Sequence, residues 1–249
     1  MLLIDAHAHL EHKLFKDVDE VIKRAEKAGI TVIINAGTNP ETNKYTLKLS
    51  KKYPIIKPAL GIHPTDSISL TQKEIDEEIK QIGKNKSKIT AIGEIGLDHH
   101  WHKKEKDLKK QKNTFKKLLN LAEKLNKPVF IHSRNAVNDT LEILKEYKLK
   151  IILHSFEGNK KQIQEAIKQG YYFSIPTSII RSTHFQNLVT MTPLSRLLTE
   201  TDAPFLAPIK DQRNEPSFII KSIKKIAEIK NITEKEAANN IFLNYQTLF

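Results

Sequence analysis

The chain predicts an α/β fold, a (β/α)8 TIM barrel with its active site at the C-terminal ends of the strands, on three observations. Eight short apolar, β-branched runs alternate with longer amphipathic ones along the whole length. The 249 residues match the ~250 that eight βα units occupy. The strand interiors are near-continuously apolar, as a parallel sheet covered by helices requires. A doubly wound open sheet satisfies the same element count and is the alternative.

In order, the strand candidates are LLIDAH, TVIINAG, IIKPALGIH, ITAIGEIGLD, PVFIHS, KIILHS, YYFSIP and SRLLTETD. Between them, residues 17–28, 41–52, 71–82, 104–125, 135–147 and 160–169 carry apolar side chains at three- and four-residue spacing, which gives a helix one buried stripe. Asp17 and Thr71 read as N-caps, Thr71 with Glu74 completing a capping box. Gly29 and Gly170 read as C-terminal caps. Residues 181–192, after the seventh strand, are poorly periodic, so a helix substitute is expected there. Helices at 216–229 and 234–245 close the chain. No low-complexity tract or linker divides it, and residues 1–249 are expected to form a single domain.

Composition excludes several classes of function. Apolar content of 39% and charged content of 28% fit an ordinary globular protein. No apolar stretch reaches the ~20 residues of a membrane span. The start, MLLIDAHAH, lacks a basic segment and carries Asp5 inside its apolar run, unlike a signal peptide. A cytoplasmic location and no membrane partner are the expectations, and no obligate protein partner is evident. The chain has no cysteine, which removes disulfides, thiolate zinc sites and cysteine nucleophiles together. Any metal must be held by His, Asp and Glu, a donor set that suits Zn, Mn, Fe, Co or Mg. Net charge is +12, from 41 Lys+Arg against 29 Asp+Glu. A basic surface concentrates polyanions such as nucleic acid. Much of the excess, however, is lysine along helical stretches such as KKEKDLKKQKNTFKKLL, which also reads as a plain solvated face.

The polar residues fall where the barrel would gather them. His7 and His9 end the first strand, His63 the third, Glu94 the fourth, His132 the fifth, His154 the sixth and Asp202 the eighth. In a parallel barrel all these ends meet at one face. His7 and His9 point the same way because strand side chains repeat with period two, and Asp5 shares that face as a residue able to orient a ligand. A lone histidine at a strand end is usually structural; five of them converging with two carboxylates are not explained that way. Four neutral imidazoles and two carboxylates suit a pair of divalent cations, with one carboxylate shared. His12, His102 and His184 read as surface residues, and His99 and His100 as candidate substrate contacts near the rim.

The stretches DAHAHL, GIHP, GEIGLD, HSRNA, HSFEG and ETDAPFLAP, followed by RNEP, together resemble the TatD family of metal-dependent deoxyribonucleases, within the amidohydrolase-like barrel enzymes. The motifs run in the family's order from residue 5 to residue 216. The resemblance implies two divalent metal ions, Mg, Mn or Zn, with His7, His9 and Asp202 on one, His132 and His154 on the other, and Glu94 bridging both. It implies that His63 and Arg134 face the substrate phosphate, that Glu200 orients a neighbour by hydrogen bonding, and that Asn214 and Glu215 fix a loop. His99, His100 and Trp101 stand where the family commonly has tyrosines after GLD, and Phe205 replaces a common tyrosine.

The activity implied is hydrolysis of DNA phosphodiesters, as an exonuclease, by a water activated between two cations. Asp202 would orient the water or accept its proton, and His63 would donate to an oxygen or protonate the leaving group. RNA is a related substrate. An alternative on the same site is ester or amide hydrolysis, such as D-aminoacyl-tRNA deacylation, which a basic surface would serve equally well.

Overall fold

Parallel strands need long crossovers, and in this chain every apolar run is followed by a helix that supplies one. The computed structural model describes residues 1–249. Its strands are β1 (Leu3–Ala8), β2 (Ile30–Ala36), β3 (Ile56–Leu60), β4 (Ala91–Gly96), β5 (Val129–His132), β6 (Ile151–His154), β7 (Tyr172–Pro176) and β8 (Leu197–Glu200). They pair in parallel, in sequence order, from β1 to β8. The helices are α1 (Val18–Lys27), α2 (Pro40–Lys52), α3 (Pro64–Ser69), α4 (Gln72–Lys84), α5 (Glu105–Leu125), α6 (Val137–Leu144), α7 (Lys160–Lys168), α8 (Thr183–Met191), α9 (Ile219–Lys230) and α10 (Glu234–Leu248). This is the TIM barrel the alternation predicts, and the open-sheet alternative falls.

Barrel closure depends on the seam between β8 and β1. Just above β8, the Asp202 amide donates to the His7 carbonyl and the His9 amide to the Ala203 carbonyl, both at 2.8 Å. Lower down, side chains take over. The Thr199 hydroxyl donates to the Ile4 carbonyl at 2.8 Å, and the Asp5 carboxylate accepts from the Thr201 amide and hydroxyl at 2.8 and 2.5 Å. The same carboxylate accepts from the His7 amide at 3.2 Å. Asp5 therefore holds backbone across the seam, and it does not orient an imidazole ring as its position along the strand implies. Burial pushes its carboxyl up to about 7, against the pull of those hydrogen bonds.

Local details differ from the sequence reading in three places. Asp17 stands at the N-cap of α1 as expected, but its side chain makes no capping hydrogen bond; its carboxylate pairs with Arg213 and Arg24 instead. α3 is an extra helix of six residues, too short to show periodicity, started by Pro64 after His63. Residues 181–192 do contain a helix, α8, whose buried Phe185, Leu188 and Val189 form a stripe of little more than one turn. Thr71 and Glu74 form the expected capping box on α4, and Gly29 and Gly170 follow α1 and α7 with φ of +86° and +78°. No helix is long and apolar enough to cross a membrane.

Candidate metal centre

β1, β4, β5 and β6 each deliver a polar side chain to the same end of the barrel, and the turns after β1, β3 and β8 deliver three more. Glu94 lies among them, 3% exposed, and its two oxygens face different partners. Oε2 is 3.4 Å from Nε2 of His7 and 3.4 Å from Nε2 of His9. Oε1 is 2.8 Å from Nδ1 of His132 and 3.6 Å from Nε2 of His154. Asp202 Oδ1 lies 3.5 Å from Nε2 of His9 and 4.0 Å from Nε2 of both His7 and His154. Donor atoms of His7, His9 and Glu94 thus converge, as do those of Glu94, His132 and His154, and His7, His154 and Asp202 join the two groups.

Positions in the chain do not all match positions in the strands. His9, His63 and Asp202 lie beyond the ends of β1, β3 and β8. His63 is the N-cap of α3, its Nδ1 2.6 Å from the Thr65 hydroxyl and its Nε2 3.6 Å from Glu94 Oε1. Asp202 reaches the centre from a left-handed backbone turn (φ +56°), which aspartate tolerates better than most residues. At Gly96, with φ +147°, an added Cβ would lie 2.0 Å from the His132 carbonyl oxygen. The absence of a side chain there lets β4 approach β5 closely enough to set Glu94 beside His132.

Around this centre, three of the four converging imidazoles are held at their other nitrogen. His9 Nδ1 is 2.8 Å from the Ala36 carbonyl, His154 Nδ1 is 3.0 Å from Glu200 Oε2, and His132 Nε2 is 2.9 Å from Asp98 Oδ2. Such partners fix the ring and raise the basicity of the free nitrogen. Glu200 thus orients a neighbour as expected. His7 Nδ1 is buried without a partner. Asp98 is the residue beside the centre that the sequence reading missed, although a signal was present: it is the second carboxylate of the run GEIGLD, two residues past the end of β4.

The charges act on one another strongly. Burial by itself would raise the Glu94 carboxyl, yet His63, His154, His132 and His7 together hold it well below the usual range. Asp202 is lowered against its burial by His154 and His9. Asp98, against burial, is held at about 2 by His132. Burial disfavours charge on every ring of the cluster. His154 is nevertheless raised to about 10 by Glu200, Asp202 and Glu94, and His9 is raised by Asp202, Glu11 and Glu94. His132 is raised by Asp98 and Glu94. His7 and His63 stay on the other side, lowered chiefly by burial, His63 to about 3.

The centre opens into a cavity of about 790 Å³. Six carboxylates line it, those of Glu11, Asp66, Glu94, Asp98, Glu157 and Asp202, against one guanidinium, Arg134. Arg134 is exposed, without a carboxylate partner, and stacked 5.6 Å over the Trp101 ring. His12, expected at the outer surface, lines this cavity and packs edge-on against Phe205. His99 and His100 do not line it. Asp98 Oδ1 accepts from the amides of His100 and Trp101, and the turn so formed presents Trp101 in their place. His102 and His184 lie outside it, beside Asp107 and the Phe156 carbonyl. Asn214 Nδ2 donates to Thr177 Oγ1 and to the Thr201 and Phe205 carbonyls, and Glu215 pairs with Arg24, so both pin the loop after β8.

Known proteins resemble this chain over its full length. The family described as TatD related DNase matches residues 4–249. An uncharacterized metal-dependent hydrolase, YabD of Bacillus subtilis (strain 168), is 36% identical over 256 residues, covering 100% of this chain and 99% of the relative. Deoxyribonuclease TATDN3 of Homo sapiens is 35% identical over 258 residues, covering 99% and 94%. Among solved structures, YJJV, a TatD homolog from Escherichia coli k12, superposes with a TM-score of 0.91 at 27% identity, covering 99% of this chain and 97% of that one.

Proposed function

The chain belongs to the TatD-related DNase family of metal-dependent hydrolases, and from that premise we propose that it hydrolyses phosphodiester bonds of DNA, removing nucleotides from a strand end, with two divalent cations held at the barrel mouth. One observation carries the reading: the two oxygens of Glu94 face separate imidazole groups, so a single carboxylate can serve two cations at once. The relative from Homo sapiens is named a deoxyribonuclease, which supports DNA as the substrate class.

The donor set fits the metals. Imidazole nitrogens and carboxylate oxygens suit Zn, Mn and Mg in decreasing order of imidazole preference. Six carboxylates against one guanidinium and the three imidazoles whose basicity they raise leave the cavity net acidic, so bound cations would be needed to favour an anionic substrate. His7, His9 and Asp202 would hold one ion, His132 and His154 the other, and Glu94 both. When bound, the pair supplies Lewis acidity and a nucleophile at neutral pH.

The chain's own side chains do the rest. Asp202, close to imidazoles of both groups, would orient the attacking water and accept its proton. Arg134 offers a planar donor fork to a phosphate oxygen, which lysine cannot copy. Thr65 occupies Nδ1 of His63, so its Nε2 is the nitrogen free to donate to a second phosphate oxygen. Asp98 and Glu200 keep His132 and His154 aimed inward.

The test is a panel of 3′- and 5′-labelled single- and double-stranded DNA, with misacylated tRNA alongside, across Mg, Mn and Zn. Stepwise shortening of DNA is expected, abolished by Glu94→Ala with the circular dichroism of the barrel unchanged. Full activity in that variant removes the bridging role, and cleavage of the aminoacyl ester with DNA intact replaces the substrate.

A further inference from the structure

We infer that Glu11 is a positioning residue of the metal centre: with Asn35 behind it, its carboxylate holds the His9 ring by Nδ1 and strengthens the hold of Nε2 on a cation. The inference rests on the two-cation reading above and assigns a residue which that reading leaves without a role.

The chain leaves the end of β1 beside β2, where Ala8 is in register with Asn35. The Asn35 side chain is fully buried, and its neighbours fix which way round the amide lies. The Leu10 amide, which can only donate, is 2.7 Å from Oδ1. Nδ2 is therefore the atom that faces Glu11 Oε2 and the Thr46 hydroxyl of α2, each at 2.7 Å. Both amide hydrogens are thereby placed, one of them on the carboxylate. The other carboxylate oxygen, Oε1, lies 3.2 Å from Nδ1 of His9, which the Ala36 carbonyl also meets at 2.8 Å. A carbonyl accepts and cannot donate, so Nδ1 carries the ring proton and shares it between two oxygens. Nε2, on the side of Glu94 and Asp202, is left to offer its lone pair to a cation.

Burial points the same way. The Glu11 side chain is only 4% exposed, and His9 is its one ion-pair partner within 4.0 Å. A carboxylate withdrawn from water is costly unless a positive charge stands near it. No lysine or arginine supplies that charge at ion-pair distance; a cation across the His9 ring does. The arrangement repeats what Asp98 does for His132 and Glu200 for His154, at 2.9 and 3.0 Å. A carboxylate behind a metal-bound imidazole fixes the ring and raises its basicity. The neutral Ala36 carbonyl does so more weakly, because hydrogen bonds to a charged acceptor are the stronger ones.

Calorimetric titration of the metal-free full chain with Mn tests the role, with His9→Ala marking the binding step that belongs to the His9 ion. Glu11→Gln keeps an oxygen for the ring but turns its NH2 group against the Asn35 NH2, donor to donor. It is expected to weaken the marked step roughly tenfold, the lower end of the range for loss of such a partner, and to leave the other step unchanged. The paired exchange Glu11→Gln with Asn35→Asp returns an acceptor opposite the new amide and is expected to recover most of that loss. Urea unfolding of the same metal-free proteins separates stability from binding. A lowered urea midpoint with both Mn steps as in wild type, or equal weakening of the two steps, overturns the positioning role and leaves the two-cation reading intact. Absence of Mn uptake by the wild-type chain overturns that reading and this role together.

Discussion

At the scale of single residues, the centre is governed by how few oxygens serve how many imidazoles. Glu94 and Asp202 together face five rings within 4.0 Å, and every ring but His7 holds its position through a partner on the far side. Asp98 is the most informative of these partners because its two oxygens do different work: Oδ2 meets His132, and Oδ1 caps the turn that presents Trp101. Asp98→Asn can keep the capping oxygen and lose the acceptor for His132. We expect metal affinity and kcat/KM each to fall by roughly 10–100-fold, the range for loss of such a ligand partner, with the melting temperature little changed. Unaltered metal content and kinetics in Asp98→Asn would show that His132 is oriented by packing alone.

At the scale of elements, two devices position the site from a distance. The first is the close approach of β4 to β5 at Gly96, where a Cβ would sit 2.0 Å from the His132 carbonyl oxygen and φ is +147°. Because the clashing atom is backbone, Gly96→Ala is expected to destabilise the fold by about 1–3 kcal/mol and to depress hydrolysis further by moving Glu94 away from His132. Denaturant unfolding and kinetics on the same preparation check both. The second device joins α1 to the loop after β8, where Arg24 grips Glu215 at 2.7 Å and Arg213 grips Asp17 at 2.5 Å. Arg24 holds the Glu215 carboxyl below its usual range against burial, and Arg213, with Arg24, holds Asp17 far lower than usual. Both groups bind protons less readily folded than unfolded. Their stabilisation is therefore complete above the unfolded carboxylate range and is lost as pH falls through the lowered folded values. Melting temperature should drop from roughly pH 5 to pH 3, and Arg24→Gln should flatten that slope. Identical slopes in the two proteins would assign the acid sensitivity elsewhere.

At the scale of the whole molecule, charge is distributed unevenly. The chain carries +12, yet its central cavity is predominantly acidic, so the positive field lies outside the mouth. One part of it adjoins the centre directly. Lys44, Lys48 and Lys51 stand at i, i+4 and i+7 on α2, beside Lys88, in a groove of about 590 Å³ that shares Glu11 and Thr42 with the central cavity. Single-strand affinity should fall linearly with salt on logarithmic axes. If about four phosphates are neutralised, the loss between 50 and 200 mM salt is on the order of fiftyfold. The double variant Lys44→Glu, Lys48→Glu should lower the slope without altering metal content. A slope unchanged by that charge reversal would place the contacts on another face.

Periodicities of two and of about 3.6 residues are local properties, so the chain by itself determined the eight βα units, the parallel order and the end of the barrel at which His7, His9, His132 and His154 gather. Absence of cysteine equally determined that donors are nitrogen and oxygen. What the tertiary structure alone decided are the relations that depend on closure and on turns with no period. Asp5 spends its carboxylate on the β1–β8 seam because Thr201 arrives opposite it only in the closed ring. His63 acts from a helix cap, and Asp202 from a left-handed turn. Trp101 displaces His99 and His100 from the cavity because the Asp98 carboxylate folds the intervening backbone. Such contacts join residues up to 196 positions apart, and no local repeat along a chain encodes which two will meet.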